Sequence, residues 1–353
     1  MKRSEFLQHA SGMMSRRSFL RLSGILGIGF VSATAIPTGA EAVKFNRRLY
    51  KISKTRLAMG TFVSMTLIHG SKDQAQEAMG EAFLEMDRLA RMISRFDETT
   101  AVAQLNREGY LKDIPPEVAA VVARSLAYYR ISNGAFDISV KPVVDLFKET
   151  FSNGQKMPPN GRELQEALRL VNASNIEFGK GVVRFRRPGM GITLDGIAKG
   201  YIVDRASEVL ARHRITNHLI NAGGDIRTMG HRRDKKPWTI AVQDPQKQKH
   251  YPDIIHLTDG AVATSGNYEI YFDREKMFHH IVNPHTGLSP EESTSVSVLA
   301  DTAMAADALS TSVFVMTPEH GTRFINALSG CESLVVAKGN KKIRSAGWKS
   351  AVS

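Results

Sequence analysis

Residues 279–311 read HHIVNPHTGLSPEESTSVSVLADTAMAADALST, and the last part of this stretch decides how the chain must fold. From Asp301 to Met316 it is built almost wholly from Ala, Met, Leu, Val, Phe, Ser and Thr. A helix of that composition is apolar nearly all round, and such a helix lies buried. Asp307 breaks the pattern. A carboxylate removed from water is costly unless cations or several hydrogen-bond donors meet it. Thr311 stands one helical turn later on the same face. Carboxylate and hydroxyl together offer the hard oxygen ligands that magnesium prefers, with positions left for water, carbonyls and phosphate oxygens. A capped structural acid is the other reading of Asp307, and this stretch by itself leaves both open. If the helix is one wall of a metal and phosphate site, the remaining walls lie upstream.

Upstream, Thr61 to His69 is rich in β-branched residues and reads as a strand entered through Met59-Gly60. From Gln74 to Ile93 the apolar residues follow helical spacing, and Ser94 to Asn106 is a polar turn leading into a short helix. Pro115-Pro116 opens a helix that stops at Asn133-Gly134. Gly134 to Phe147 reads as a loop carrying Asp137, with Pro142 forbidding a regular central strand. A helix opens at Pro158-Pro159-Asn160-Gly161, and Ile176 to Arg186 forms a hairpin around Gly179-Lys180-Gly181. Gly191 to Asp204 reads as short strand, turn and helix, an arrangement that presents backbone N–H groups to an anion. Lys199 sits in that helix's first turn, where the dipole disfavours a cation, so an anionic partner is expected there. His218 to Gly230 is a strand ending in a glycine turn, and Asp225 after two glycines reads as a turn residue. Further strands are expected at 238–243, 253–257, 268–272 and 295–300. The expected fold is α+β, with a helix-rich amino half, a strand-rich carboxyl half and the site in the crevice between them.

Composition narrows the function. The 353 residues are 42% hydrophobic and 23% charged, the profile of a globular chain, and they suffice for one large domain or two intimately joined lobes. Lys and Arg number 47 against 35 Asp and Glu, a net charge of +12, but the basic residues are scattered and carry no nucleic-acid-binding module. Cys331, alone, excludes an internal disulfide and a multi-cysteine metal site. His279, His280 and His285 do not make a zinc site, because adjacent strand residues point to opposite faces and no acidic or thiolate ligand joins them. At the amino end, SRRSFLR at 15–21 precedes an uncharged run from Leu22 to Ile36 and then Ala40-Glu41-Ala42. Basic segment, short apolar segment and A-x-A-like site predict a twin-arginine signal over residues 1–42, cleaved after Ala42, with residues 43–353 as the exported domain. An uncleaved signal would instead retain the protein at the inner membrane.

The motifs MGT (59–61), SRFDETTAVAQLN (94–106), GAFDISVKP (134–142), GIAKGYIVD (196–204), NAGGDI (221–226), TSGNYE (264–269), HIVNPHTG (280–287) and ADALST (306–311) occur in this order. Together they resemble the ApbE family of FAD:protein FMN transferases. The resemblance implies a magnesium-dependent reaction in which FAD is split at its pyrophosphate. FMN is joined through a phosphodiester to a Thr or Ser of an acceptor flavoprotein, one belonging to a membrane or periplasmic electron-transfer system, and AMP leaves. It places the metal on Asp307, Thr311 and the Gly196 carbonyl. Flavin and adenine contacts fall on Met59, Phe96, Ala135, Phe136, Asp137, Thr193, Lys199 and Ile281, and catalysis on Asp307 and on His280 as general base. Two positions depart from the family pattern: Thr193 stands where an acidic residue is usual, with Asp195 two positions on, and Phe96 replaces a tyrosine. An FAD pyrophosphatase and a non-catalytic FAD carrier are the alternatives to the transferase.

Overall fold

The computed structural model describes residues 41–44, of which the backbone alone, and 49–152, 157–232, 235–243, 245, 251–267, 279 and 281–351. Its spine is an antiparallel sheet. The chain begins with β1 (Glu41–Lys44), β2 (Tyr50–Ala58) and β3 (Thr61–His69), and then runs through α1 (Lys72–Ile93) and α2 (Ala101–Glu108). A small sheet of β4 (Tyr110–Lys112), β5 (Ile176–Gly179) and β6 (Val182–Phe185) is interleaved with α3 (Pro116–Ile131), α4 (Lys141–Ser152) and α5 (Gly161–Leu168). The carboxyl half follows as α6 (Ala198–Arg212), β7 (His218–Ala222), β8 (Asp225–Met229), β9 (Trp238–Ala241), β10 (Ile254–Leu257), β11 (Gly260–Gly266) and β12 (Ser293–Ala300). It ends with α7 (Ala303–Val315), α8 (Pro318–Asn326), β13 (Glu332–Ala337) and β14 (Lys342–Arg344). In space the large sheet runs β1-β2-β3-β7-β8-β11-β12-β13-β14. The mixed α+β class stands, with β2 and β3 of the helix-rich half joined through β3 and β7 to the strands of the other half.

Period-two burial explains the layers. Val63, Met65 and Leu67 of β3 face a core shared with Ala75, Met79 and Met86 of α1 and Tyr201, Ile202 and Leu210 of α6. Val296 and Val298 of β12 face Leu309, Val313 and Phe314 of α7. On the opposite face, Ile226, Val262 and Leu334 pack with Ile240, Ile255 and Trp348. α7 is therefore enclosed, as its composition requires.

Several expectations change in detail. Gly134–Phe147 is a loop only at its start, because α4 begins at Lys141 and places Pro142 in its first turn, where a missing N–H costs nothing. Gly191–Leu194 is not a strand among the described residues; it is an irregular approach to α6. The turn after β7 does not end the strand pair, since Gly223-Gly224 is a two-residue hairpin into β8. The strands β1, β2, β4, β11, β13 and β14, and the helix α8, carry no expectation from the sequence. A strand expected at 268–272 lies outside the described residues.

Candidate active site

Two helices hold one another by their amino ends. α6 starts without a side-chain cap of its own, and the N–H of Gly200 donates to Asp307 Oδ2 of α7 at 3.0 Å. In return Asp204 of α6 accepts from the N–H groups of Ala303 and Met304, both at 2.8 Å, at the start of α7. Thr302 caps the next N–H, that of Ala305, at 3.1 Å. Helix starts leave such donors unpaired, and a carboxylate there also meets the positive end of the dipole. The exchange demands close approach: a Cβ on Gly200 would lie 2.3 Å from the Ala303 carbonyl oxygen. Burial pushes the Asp204 carboxyl up to about 6 against the pull of its two N–H partners and Arg227.

Asp307 is 6% exposed and interacts with a second buried carboxyl, that of Asp225. Burial pushes Asp225 well above the usual carboxylate range, and the charge of Asp307 pushes it further; Lys199 opposes both. Burial raises Asp307 too, against the pull of Lys199, the Gly200 N–H and Asp225. Lys199 Nζ stands 3.4 Å from Asp225 Oδ2, which supplies the anionic partner expected from its place in the first turn of α6. One turn beyond Asp307, Thr311 Oγ1 is 3.3 Å from Ser265 Oγ, which is 2.9 Å from Ser310 Oγ. Gly196 lies directly beneath: a Cβ there would meet Thr311 Cγ2 and Oγ1 at 3.3 Å and Phe136 Cε2 at 3.4 Å. Asp307, Thr311, Gly196, Phe136 and Lys199 thus come together as the sequence reading requires, joined by Asp225 and Ser265.

The remaining predicted residues frame this centre. Ala135 and Phe136 are buried in the loop after α3, which Asp137 anchors. Asp137 Oδ1 accepts from the Ser139 N–H at 2.7 Å and hydroxyl at 2.6 Å, and Oδ2 from the Ala173 N–H at 3.0 Å. Its oxygens are thereby engaged within the protein. Thr193 N–H donates to the Ile138 carbonyl at 2.8 Å, tying the approach to α6 onto the same loop. Asp195 instead meets Arg95 Nε at 3.3 Å; Arg95 also reaches Asp145 at 3.1 Å. Phe96 is 71% exposed, with the Arg95 guanidinium 4.5 Å and Lys148 Nζ 4.9 Å from its ring centre. Burial lowers the Lys148 ammonium, and the charge of Arg95 adds to this. Met59, half-buried with φ +52, and Gly60, φ +72, form the β2–β3 turn, whose following Thr61 supports Gly223. Ile281 packs with Leu309, Val313 and Phe314. His280 lies outside the described residues. Its neighbour His279 is buried, with Nε2 2.9 Å from the Pro290 carbonyl oxygen.

Asp225, which the sequence presents as a turn residue, and Ser265, which carries no expectation, join the site. Both lie inside quoted motifs, but a turn aspartate and a strand serine have bland uses that the sequence cannot separate from this one. Asp225 Oδ2 is sealed from solvent and receives no hydrogen bond of acceptable geometry among the described residues. Among the described residues the assembled donors are carboxylate and hydroxyl oxygens without sulfur or imidazole, a set that suits a hard cation. No group of three or more His, Cys, Asp or Glu side chains gathers among the described residues, so such a cation would share its coordination with hydroxyl, carbonyl or phosphate oxygens.

Comparison with known proteins shows the family. Residues 59–335 match the profile of the ApbE family. An FAD:protein FMN transferase of Haemophilus influenzae is 32% identical over 232 residues, which span 64% of this chain and 65% of that protein. One of Treponema pallidum is 27% identical over 323 residues, spanning 85% of this chain and 88% of its relative. Among solved structures, the ApbE protein of Thermotoga maritima superposes with a TM-score of 0.76 at 31% identity, over 84% of this chain and 97% of its own. The flavin transferase ApbE of Vibrio cholerae gives 0.71 at 25% identity, over 87% and 98%.

Proposed function

The chain belongs to the ApbE family, and from that premise we propose that it is a magnesium-dependent FAD:protein FMN transferase. The observation that carries the reading is the meeting of Asp307 and Thr311 with Gly196, Phe136 and Lys199 at the α6–α7 clasp. Asp307, Thr311 and the Gly196 carbonyl would hold magnesium, which supplies charge neutralisation at the FAD pyrophosphate. Lys199 adds a fixed positive charge on the same side. Phe136 and the exposed Phe96 offer aromatic faces to the ring systems of FAD, and Arg95 and Lys148 keep the Phe96 face cationic. His280 takes the proton from the acceptor's Thr or Ser hydroxyl. The hydroxyl oxygen then bonds to the FMN phosphorus, the pyrophosphate P–O bond breaks, and its electron pair leaves with AMP.

The acceptor is an exported or membrane-bound flavoprotein, and the transferase works in the periplasm after twin-arginine export. SRRSFLR and the apolar run behind it support that placement. Among the described residues no helix is long and apolar enough to cross a membrane.

The test is to incubate the protein with FAD, Mg2+ and a flavin-acceptor domain, then read the acceptor's intact mass and the released nucleotide. The expected result is one FMN added per acceptor with AMP released, abolished by Asp307→Ala and by His280→Ala. Free FMN and AMP with an unmodified acceptor would mark a pyrophosphatase, and FAD binding without AMP a carrier.

A further inference from the structure

The fold treats Asp225 unlike its other buried aspartates. Asp137, Asp204 and Asp253 each accept at least one backbone N–H, Asp253 from Ile254 at 2.8 Å. Asp225 is 1% exposed, yet its Oδ2 receives no well-formed hydrogen bond among the described residues; its neighbours are the Lys199 ammonium, at 3.4 Å, and the Asp307 carboxyl. A purely structural carboxylate in such a place is expected to collect donors. The carboxyl is also rigidly placed. It opens β8 directly after Gly223 and Gly224, at φ +60 and +104. A Cβ on Gly223 would meet Thr61 Oγ1 at 2.4 Å, and one on Gly224 would meet Gln243 Oε1 at 2.8 Å. The tight turn thus presses Asp225 against α6 and α7, beside Asp307. With both groups ionised, two enclosed carboxylates facing one ammonium would carry a net negative charge, which a buried site tolerates poorly unless a cation answers it.

We propose that Asp225 is a positioning residue of the metal centre: its carboxylate adds the second negative charge that draws a divalent cation to Asp307, and its ion pair fixes Lys199 beside that cation. The inference rests on the magnesium-dependent reading of the site and deepens it. Removing one charge a few ångströms from a cation, at an effective dielectric near 20, weakens binding by about tenfold or more.

The experiment uses the mature protein without FAD and counts free Mn2+, a paramagnetic stand-in for Mg2+, by electron paramagnetic resonance. Asp225→Asn is expected to raise the Mn2+ dissociation constant about tenfold or more, and to raise the Mg2+ concentration for half-maximal FMN transfer by a similar factor. The rate at saturating Mg2+ falls much less. Asp225→Glu, which keeps the charge, should retain most of the affinity, and it carries the test if the Asn variant does not fold. A folded Asn variant with wild-type Mn2+ affinity and Mg2+ requirement overturns the proposal, whatever its melting temperature. So does a wild-type protein that binds no Mn2+. If wild type binds Mn2+ but transfers no FMN, the transferase reading fails while the Asp225 effect on Mn2+ stands or falls by its own measurement.

Discussion

His218 is wholly enclosed at the start of β7, with Nδ1 2.9 Å from the Ile215 carbonyl oxygen and Nε2 2.7 Å from the Ser207 hydroxyl. A carbonyl can only accept, so the proton sits on Nδ1, and Nε2 accepts from the serine. Burial presses the ring down to about 4, because the charged form has no water to meet it. An unfolded histidine titrates near 6.5. Between those values the unfolded chain binds the extra proton, so this contribution is fully present above about 6.5 and is lost as pH falls towards about 4. Its full size is about 3 kcal/mol. Asp204, raised to about 6, works the other way, gaining stability as pH falls through that value. The measurement is therefore a difference: urea unfolding of wild type and His218→Gln at pH 7.5 and pH 5. The gap between them should narrow at the lower pH. A constant gap would show that the imidazole is not held neutral. At this same scale the site was partly legible. Asp307 announced itself as the one charge in an apolar helix, whereas Asp225 did not, because its meaning lies in side chains more than twenty residues away in the sequence.

The clasp between α6 and α7 is a property of two elements and of none of their residues singly. Each helix lends a carboxylate to the other's amino end, and Gly200 keeps them close enough for the exchange. Gly200→Ala should separate the helices, remove the N–H bond to Asp307, and lower stability by about 2–4 kcal/mol, with FMN transfer lost. Asp204→Asn keeps one acceptor and loses the charge, so about 1–2 kcal/mol is expected, with a raised Mg2+ requirement as Asp307 and Thr311 loosen. Thermal melts with and without Mg2+ separate the two effects. Wild-type melting and activity in Gly200→Ala would refute the packing described. Several helices are legible in the sequence because periodicity and start signals are local: α1 ends at Ile93 as expected, and α5 opens directly after Asn160, within the expected Pro-Pro-Asn-Gly start. β2 and β11 are not. β11 reads GAVATSG, which lacks alternation because both its faces are largely covered, so period-two reasoning has nothing to grip. α4 is hidden in the sequence because Pro142 excludes a central strand and is equally at home in the first turn of a helix, where it in fact lies.

Across the whole molecule, residues 344–350 close the back of the sheet on which the site is built. Trp348 packs with Ile226, Ile240, Ile255, Val262 and Leu334, and its indole N–H donates to Asp253 Oδ2 at 3.0 Å. Arg344 reaches the same carboxylate at 3.2 Å, and the Ser350 hydroxyl donates to its other oxygen. Asp253 thus gathers the carboxyl-terminal segment onto the β9–β10 hairpin, while Ile226, next to Asp225, lies beneath the tryptophan. The site faces α6 and α7, and this tether covers the opposite face. Stability and catalysis should then separate. Trp348→Ala removes a large buried ring and leaves Asp253 short of a donor, a loss of about 3–5 kcal/mol seen as a lower urea midpoint with unchanged slope. At a temperature where both proteins remain folded, the Mg2+ concentration for half-maximal transfer should match wild type, because β8 keeps its pairing with β7 and β11. If that requirement shifts together with the midpoint, the two faces of the sheet are coupled through Ile226, and Asp225 owes its position to the carboxyl-terminal segment as well as to the glycine turn.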